Sequence, residues 1–406
     1  MEDQEDPTFV TFETAKSKVQ DKARKSILVS FVVGAVLATV LGAVVRGETG
    51  IWTAHGNGEN IAHIEDNGRE LSIADRHPNV GWDCEDGGYH GRTLKLAYEE
   101  SFHSLFPFYE RYYEASSVVL STDKKTAYAV MDSSWSLYKF GVDLKRRSDD
   151  NIRYGDPERE AGIESGYEAI FKSHGLFYIV RESVLHDETQ TYHAVIEEVR
   201  LNARGDTSTT EQFQLLRKCS TEFEFESGSK GFEGVWAIHD YDKEFYLLAL
   251  CEGNRCSEKD RMNPGNGRIV ILKLNETETD CKWQTYGHLD LPKSAYFNDY
   301  SAMSIRDDGY VAITSQEDSQ LWIGRMFGKD PHSNLWNVSE LAFDEVGELF
   351  SFPKNENCET IYCNIEGIHW LDSGTLLAVS DKTHGEGKED YRCHAKDQSV
   401  HVFVLP

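Results

Sequence analysis

A strand–turn–strand pattern recurs along this 406-residue chain and constrains its fold more than any other feature. Its clearest copy is Gly231–Glu252, GFEGVWAIHDYDKEFYLLALCE, in which the apolar runs Val235–Ile238 and Phe245–Leu250 flank a polar turn. Short apolar runs separated by turn-forming residues are typical of a β-hairpin within a packed sheet. The sequence therefore predicts a hairpin here, with Glu233 just before its first buried strand.

Four weaker copies share one marker, an acidic or hydroxyl residue before the first apolar strand. The markers, in chain order, are Ser116 or Ser117, Glu168, Glu233, Ser301 and Glu366. The intervals between the last four are 65, 68 and 65 residues, and no helical period lies between the units. Near-constant spacing of all-β units predicts radial repetition, as in a β-propeller. A β-sandwich is the structural alternative, but it gives no reason for the same marker in each unit.

The predicted fold is an all-β, five-bladed β-propeller, or a six-bladed one if residues 47–115 supply more than one strand. Thr93–Tyr98 alternates like a strand. We expect it to join the last sheet beside Ser399–Leu405 and so to close the ring.

A single N-terminal transmembrane helix is predicted at Ile27–Val45, which carries no charge over 19 residues and is long enough to cross a bilayer. Five basic residues lie between Lys16 and Lys25, against Arg46 alone just beyond the other end. This asymmetry places the N-terminus in the cytoplasm. The predicted parts are a cytoplasmic tail (1–26), a signal anchor (27–45), a stalk or strap (46–91) and the propeller ectodomain (92–406). A cleaved signal peptide is the alternative.

All eight cysteines lie beyond this segment, as expected for an oxidising compartment. The predicted local disulfides are Cys251–Cys256 and Cys358–Cys363. Sequence alone does not pair Cys84, Cys219, Cys281 and Cys393. Glycosylation sequons begin at Asn275 and Asn337. Together these features predict a single-pass type II glycoprotein of the plasma membrane or secretory pathway, with its C-terminal domain extracellular or lumenal.

The net charge is −27, and the acidic excess lies after residue 46 because basic and acidic residues balance before it. Such a surface repels nucleic acid and anionic lipid, and it attracts cations. Nucleic acid is therefore excluded as a partner, and membrane contact is expected only through residues 27–45.

In a propeller the first strand of each blade lines the central channel, so the marker residues would form a ring. Carboxylates that converge there repel one another unless they share protons, pair with a cation or bind a metal. The predicted metal ligands are Glu168, Glu233, Glu366 and Ser301. Oxygen ligands in a lumenal compartment favour Ca²⁺. The alternative is that each Glu hydrogen-bonds the backbone of the neighbouring blade.

A second acidic set ends the second strands and would form the rim of one mouth. It comprises Asp132, Glu182, Glu252, Glu317 and Asp381. This rim would receive a cationic ligand or more Ca²⁺, and solvated turns are the alternative. His174, His239 and His369 lie near first strands, where they would act as general bases or as structural residues.

The units resemble the five repeats of the SdiA-regulated family of β-propellers. The segments that carry the resemblance are SSVVLSTDKKTAYAVMDSS, GYEAIFKSHGLFYIVRES, KGFEGVWAIHDYDKEFYLLALCE, DYSAMSIRDDGYVAITSQEDS and IEGIHWLDSGTLLAVSDK. The resemblance covers Thr93 to Leu405, and the chain departs from it by insertions at Glu252–Gly267 and Gly328–Cys363. The repeats are also similar to phytase-like esterase propellers.

Two function classes follow from these observations. The first is a calcium-stabilised binding module whose mouth recognises a protein, a glycan or a small molecule. The second is a metal-dependent hydrolase of phosphoesters or esters, with the Glu ring holding metal and water. The sequence has no Gly-x-Ser-x-Gly, no His-Glu-x-x-His and no phosphate-binding loop. The binding module is therefore favoured.

Overall fold

The computed structural model describes residues 92–107, 112–155, 164–186, 189–201, 213–257, 263–277, 281–382 and 396–406. The predicted tail, membrane segment and stalk lie outside the described residues, as do Cys84 and Cys393. Across the described ranges, we find no helix with the length and apolar character needed to cross a bilayer.

The described chain is all-β apart from one turn of α-helix and a short 3-10 helix. It begins with β1 (Arg92–Thr93), β2 (Lys95–Ser101) and helix α1 (Phe102–Leu105). The first meander contains β3 (Ala115–Leu120), β4 (Thr126–Met131), β5 (Ser134–Gly141) and β6 (Ile152–Gly155). The second contains β7 (Tyr167–Ser173), β8 (Leu176–His186), β9 (Thr191–Leu201) and β10 (Phe213–Thr221).

Three further meanders complete the domain. The third contains β11 (Phe232–Asp240), β12 (Phe245–Cys251), β13 (Arg268–Glu276) and β14 (Cys281–Asp290). The fourth contains β15 (Ala302–Ile305), β16 (Tyr310–Ser315), β17 (Gln320–Phe327) and, after the short strands β18 (Leu335–Trp336) and β19 (Ala342–Phe343), β20 (Glu348–Ser351). The fifth contains β21 (Ile365–Trp370), β22 (Thr375–Ser380) and β23 (Ser399–Val404).

The first strands of the meanders pack in cyclic order around a channel. Strand β3 contacts β7, β7 contacts β11, β11 contacts β15, β15 contacts β21, and β21 contacts β3. Within each meander the strands pair antiparallel in sequence order, and a parallel pair between β10 and β14 joins the second and third meanders. Up-and-down sheets arranged radially about an axis are a β-propeller.

The N-terminal strands close the structure. Strand β2 pairs antiparallel with β23, from Lys95 opposite Val404 to Ser101 opposite Ser399. The predicted pairing of this region with the C-terminal strand is therefore confirmed. The preceding β1 pairs instead with β20 of the fourth meander. One short N-terminal segment thus connects two sheets.

Three of the inner strands are buried along their whole length because neighbouring sheets cover both of their faces. Every residue of β3, β15 and β22 is buried. Hydrophobic clusters fill the spaces between adjacent sheets, and the largest fully buried side chains are aromatic. This accounts for the runs of continuous apolar residues, since strands buried on one face alternate instead.

One disulfide lies within the third meander, and a second links the second meander to the third. The predicted Cys251–Cys256 bridge is present, and Cys219–Cys281 links the parallel strands β10 and β14. Cys358 and Cys363 are also disulfide-bonded, and their pairing with each other stays a prediction. At the sequons, Asn275 is exposed and Asn337 is partly exposed.

Small residues follow the markers because neighbouring first strands approach closely. A Cβ added at Gly234 would lie 2.6 Å from the backbone N of Met303 in β15. A Cβ added at Gly367 would lie 2.8 Å from the Cα of Ser117 in β3. Real Cβ atoms do not approach backbone this closely, so these positions require glycine.

We expect Gly234→Ala to destabilise the domain by about 1–3 kcal/mol, because the methyl group meets backbone that cannot rotate away. The measurement is the free energy of unfolding in denaturant. Gly287→Ala in β14 is the control, since nothing lies within 4 Å of its added Cβ. Equal losses in the two variants would contradict the close approach of β11 and β15.

Candidate functional site

Four of the five marker residues occupy β-bulges at the start of the first strands. Pairing with the second strand skips one residue between Tyr167 and Ala169, between Phe232 and Gly234, and between Ile365 and Gly367. The skipped residues are Glu168, Glu233 and Glu366. A bulge carries one extra residue and redirects its side chain. The same skip in β3 lies between Ala115 and Ser117, which identifies Ser116 as the marker of the first meander.

The three marker glutamates lie at one end of the channel, which we call the acidic end, and they influence one another electrostatically. Glu233 Oε1 and Glu168 Cγ both lie within 4 Å of the position that a Gly231 Cβ would occupy. All three side chains are half-buried, so water reaches them although protein surrounds them. Within the described residues, none of these carboxylates has a hydrogen bond or an ion pair.

Burial and mutual repulsion raise the pKa of each marker glutamate well above its usual range. Burial contributes most in all three cases. The second-largest contribution is repulsion by a neighbouring carboxylate. This neighbour is Asp132 for Glu168, Glu168 for Glu233, and Asp381 for Glu366. The acidic end therefore favours bound protons or a bound cation.

Four of the five predicted rim residues belong to the same electrostatic group. These are Asp132, Glu182, Glu252 and Asp381, each of which raises the pKa of at least one marker glutamate. Burial, then repulsion by Asp132 and Glu252, raises the pKa of Glu182 to about 7. Ring and rim thus form one continuous acidic surface.

Asp381 is the most enclosed member of this surface. It is only 8% exposed, and its Oδ1 has no hydrogen-bond partner within the described residues. Two lysines offset part of the acidic charge: Lys230 Nζ lies 3.0 Å from Glu252 Oε1, and Lys382 Nζ lies 3.3 Å from Glu114 Oε1. Carboxylates still exceed ammonium groups at this end.

Ser301 has a structural role. It is 1% exposed, and its hydroxyl donates to the backbone oxygen of Ile365 at 2.8 Å. This bond joins the fourth meander to the first strand of the fifth. The sequence analysis gave a bond of this kind, to the backbone of the neighbouring blade, as the alternative to metal binding by the marker glutamates.

Glu317, the remaining predicted rim residue, belongs to a separate acidic group with Asp299 and Asp318. Asp299 is 9% exposed and its Oδ2 lacks a partner within the described residues. Burial raises the pKa of Asp299 to about 7, against the lowering effect of the hydrogen bond from Ser315, and Glu317 adds repulsion. Sequence reasoning missed Asp299, although it comes two residues before the marker Ser301.

The oxygen donors at the acidic end suit a hard cation such as Ca²⁺ in chemistry, since Ca²⁺ takes six to eight oxygen ligands. In the part of the chain that the structure describes, no three His, Cys, Asp or Glu side chains are grouped closely enough to hold a metal ion. Coordination would therefore require the glutamates to change rotamer.

The opposite end of the channel, which we call the turn end, holds the predicted histidines. First strands advance ~3.3 Å per residue, so His239 lies roughly 20 Å from Glu233 along β11. A cavity of about 420 Å³ connects these levels, and His174, His239 and His369 line it. Burial lowers the pKa of His369 to about 3, with a further contribution from Lys124, and burial also lowers the pKa of His239. Both imidazoles are therefore neutral at pH 7.

The raised pKa of Glu182 predicts a pH dependence of stability in metal-free protein. The pKa of Glu182 is about 7 in the folded protein, whereas a solvated glutamate has a pKa of about 4.5. The folded state therefore keeps its full stability below pH 4.5 and loses part of it as the pH rises through 7 and the carboxyl group ionises. We expect Glu182→Gln to melt at a higher temperature than wild type at pH 8, and the difference to shrink as the pH falls through 7 and to vanish only below about pH 4.5.

Calorimetry in chelator between pH 4.5 and 8 makes this measurement, and Glu345→Gln is the control because Glu345 is exposed. Because the pKa values of His239 and His369 are lowered, these two residues reduce the stability of the folded state as the pH falls. This effect is the same in wild type and in both variants. A melting difference independent of pH would contradict the assigned pKa of Glu182.

Comparisons with known proteins give fold-level similarity alone. No family model and no curated protein matches the chain. Similar solved structures include a luciferin-regenerating enzyme, with 10% identity and a TM-score of 0.36 over 76% of this chain and 95% of that one. The WD40 repeats of RRP9 have 7% identity and a TM-score of 0.36 over 77% and 100%. A calcium-binding regucalcin from Agrobacterium tumefaciens has 7% identity and a TM-score of 0.33 over 72% and 90%.

These similarities carry no functional assignment. The resemblance of the repeats to the SdiA-regulated family stays a prediction.

Proposed function

We propose that this chain is a membrane-anchored, five-bladed β-propeller of an extracellular or lumenal compartment, acting as a calcium-stabilised binding module. Five meanders with cyclic contacts between their first strands support five blades. The disulfides support an oxidising compartment. The uncharged segment Ile27–Val45 supports the anchor. The similarity to the SdiA-regulated repeats supports the same architecture.

The observation that carries this proposal is the absence of protein partners for the marker glutamates within the described residues. Three carboxylates without donors, joined by rim acids, are costly to ionise inside a channel. A divalent cation would supply the missing positive charge. The buried, unpartnered Oδ1 of Asp381 is a second feature that favours a ligand at this end.

The acidic end would then serve as the binding mouth. With the ring glutamates engaged by Ca²⁺, Glu182 would remain at the rim to meet a cationic group of the ligand. A protein, a glycan or a small molecule that carries an amine suits this chemistry, whereas nucleic acid does not.

A metal-dependent hydrolase is a second candidate, and one observation favours it. Glu182 has a pKa of about 7, which is the value that suits a general base at neutral pH. In this role Glu182 would take a proton from water beside an ester or phosphoester bound at the acidic end.

We expect Ca²⁺ at 100 times its dissociation constant to stabilise the full-length protein by about 2.7 kcal/mol. Glu233→Gln should have opposite effects in two conditions. In chelator it should raise the melting temperature because it removes repulsion, and in Ca²⁺ it should reduce the stabilisation because it removes a ligand. Calorimetry together with metal analysis of the purified protein makes both measurements.

Glu345→Gln removes the same charge from an exposed position and should change neither quantity. Absence of bound calcium, with one melting temperature in chelator and in Ca²⁺, would contradict the calcium proposal. Calcium-dependent turnover of ester or phosphoester substrates that is lost in Glu233→Gln would replace the binding module with the hydrolase.

A further inference from the structure

The turn end of the channel has the dimensions of a small-molecule site. Its cavity of about 420 Å³ falls within the usual range for such sites, roughly 300–1,000 Å³. Residues from the first strands, or from the turns after them, line it in all five meanders. Glu233 lines the inner end of this cavity, whereas lysines and histidines line the end at the turns.

An insertion builds one wall of this cavity. After β17 the chain crosses to the third meander, where β18 pairs in parallel with the end of β11, His239 opposite Leu335. Lys329 and Trp336 from this crossing line the cavity, and Trp336 is 4% exposed. A segment outside the repeat pattern therefore forms part of the cavity wall at the turn end.

Flat aromatic surfaces face the cavity. The rings of Trp236 and His369 lie 5.5 Å apart at an interplanar angle of 31°. They come from β11 and β21, which are not neighbours in the ring, so the two side chains meet across the channel. His174 and His239 form a second pair 5.0 Å apart. Partly exposed aromatic faces of this kind favour a ligand with a flat ring.

Two cavity-lining ammonium groups lack a counter-charge. Lys124 Nζ donates to the backbone oxygen of Leu371 at 3.0 Å, and Lys172 Nζ lies 5.6 Å from the ring centre of Phe177. Among the described residues, neither has a carboxylate within 4 Å.

The other two cations of the lining are paired. Arg306 binds both carboxylate oxygens of Asp308 at 2.7 Å, and Lys329 Nζ lies 3.9 Å from Asp307 Oδ1. The uncompensated charge at the turn end of the cavity is therefore positive, although Glu233 lines its other end and the whole chain carries −27.

We propose that the turn end binds a small organic anion with a flat conjugated ring, such as an aryl carboxylate or aryl sulfonate. The ammonium groups of Lys124 and Lys172 receive the anionic group, and the ring lies against Trp236 and His369. This site lies at the opposite end of the cavity from Glu233, and the proposal does not depend on calcium at the acidic end.

Two probes with one fluorophore test the proposal on the full-length protein. They are 8-anilinonaphthalene-1-sulfonate, which is anionic, and N-phenyl-1-naphthylamine, which lacks the sulfonate. We expect the anionic probe to bind at one site, more tightly than the neutral one. In the double variant Lys124→Gln/Lys172→Gln its affinity should fall about 10-fold or more, because charge-assisted bonds are lost.

Lys125→Gln is the matched control, because Lys125 is the exposed neighbour of Lys124 and does not line the cavity. It should bind both probes like wild type, and the double variant should bind the neutral probe like wild type. Equal affinities of the two probes for wild type, or an unchanged affinity of the anionic probe for the double variant, would overturn the proposal. If the double variant does not fold, each single variant carries the same test.

Discussion

The close approach of neighbouring first strands is the constraint on which the rest of this structure depends. Backbone of β15 lies so near Gly234 that no side chain fits, and β3 stands in the same relation to Gly367. The residue before each glycine is the extra residue of a β-bulge, and its side chain is therefore redirected. Crowding and bulge together explain why glutamate and glycine occur as a pair.

This geometry concentrates charge. Radial packing sets equivalent residues of successive sheets around one axis, so the carboxylates of three bulges converge at the acidic end. The surrounding protein removes much of the water that would otherwise stabilise their charges, and the rim acids add repulsion. The described residues offer these glutamates no hydrogen-bond donors, so no protein group among them balances their negative charge.

The channel is chemically polarised along its length. One end collects acidic side chains, whereas the other presents neutral imidazoles, indoles and two ammonium groups without counter-charges. The difference follows from strand direction, because all first strands start at the acidic end and finish at the turns.

Strand-level features were predictable from the sequence because they depend on local order. The hairpins, the markers and the closing strand followed from apolar runs and turn residues, and Cys251–Cys256 followed from short spacing. The fourth strands of the sheets, the Cys219–Cys281 bridge and Asp299 did not, since each depends on contacts between segments far apart in the chain.

The sequence by itself determined that the chain is a set of β-sheet repeats with an acid or hydroxyl residue at one recurring position. Only the tertiary structure decided what those residues do. It separated Ser301, whose hydroxyl bonds the next first strand, from Glu168, Glu233 and Glu366, whose carboxylates have no such bond within the described residues. The physical reason is that a side chain's hydrogen-bond partners come from neighbouring sheets. The spacing of residues in the sequence does not predict which groups of those sheets lie next to it.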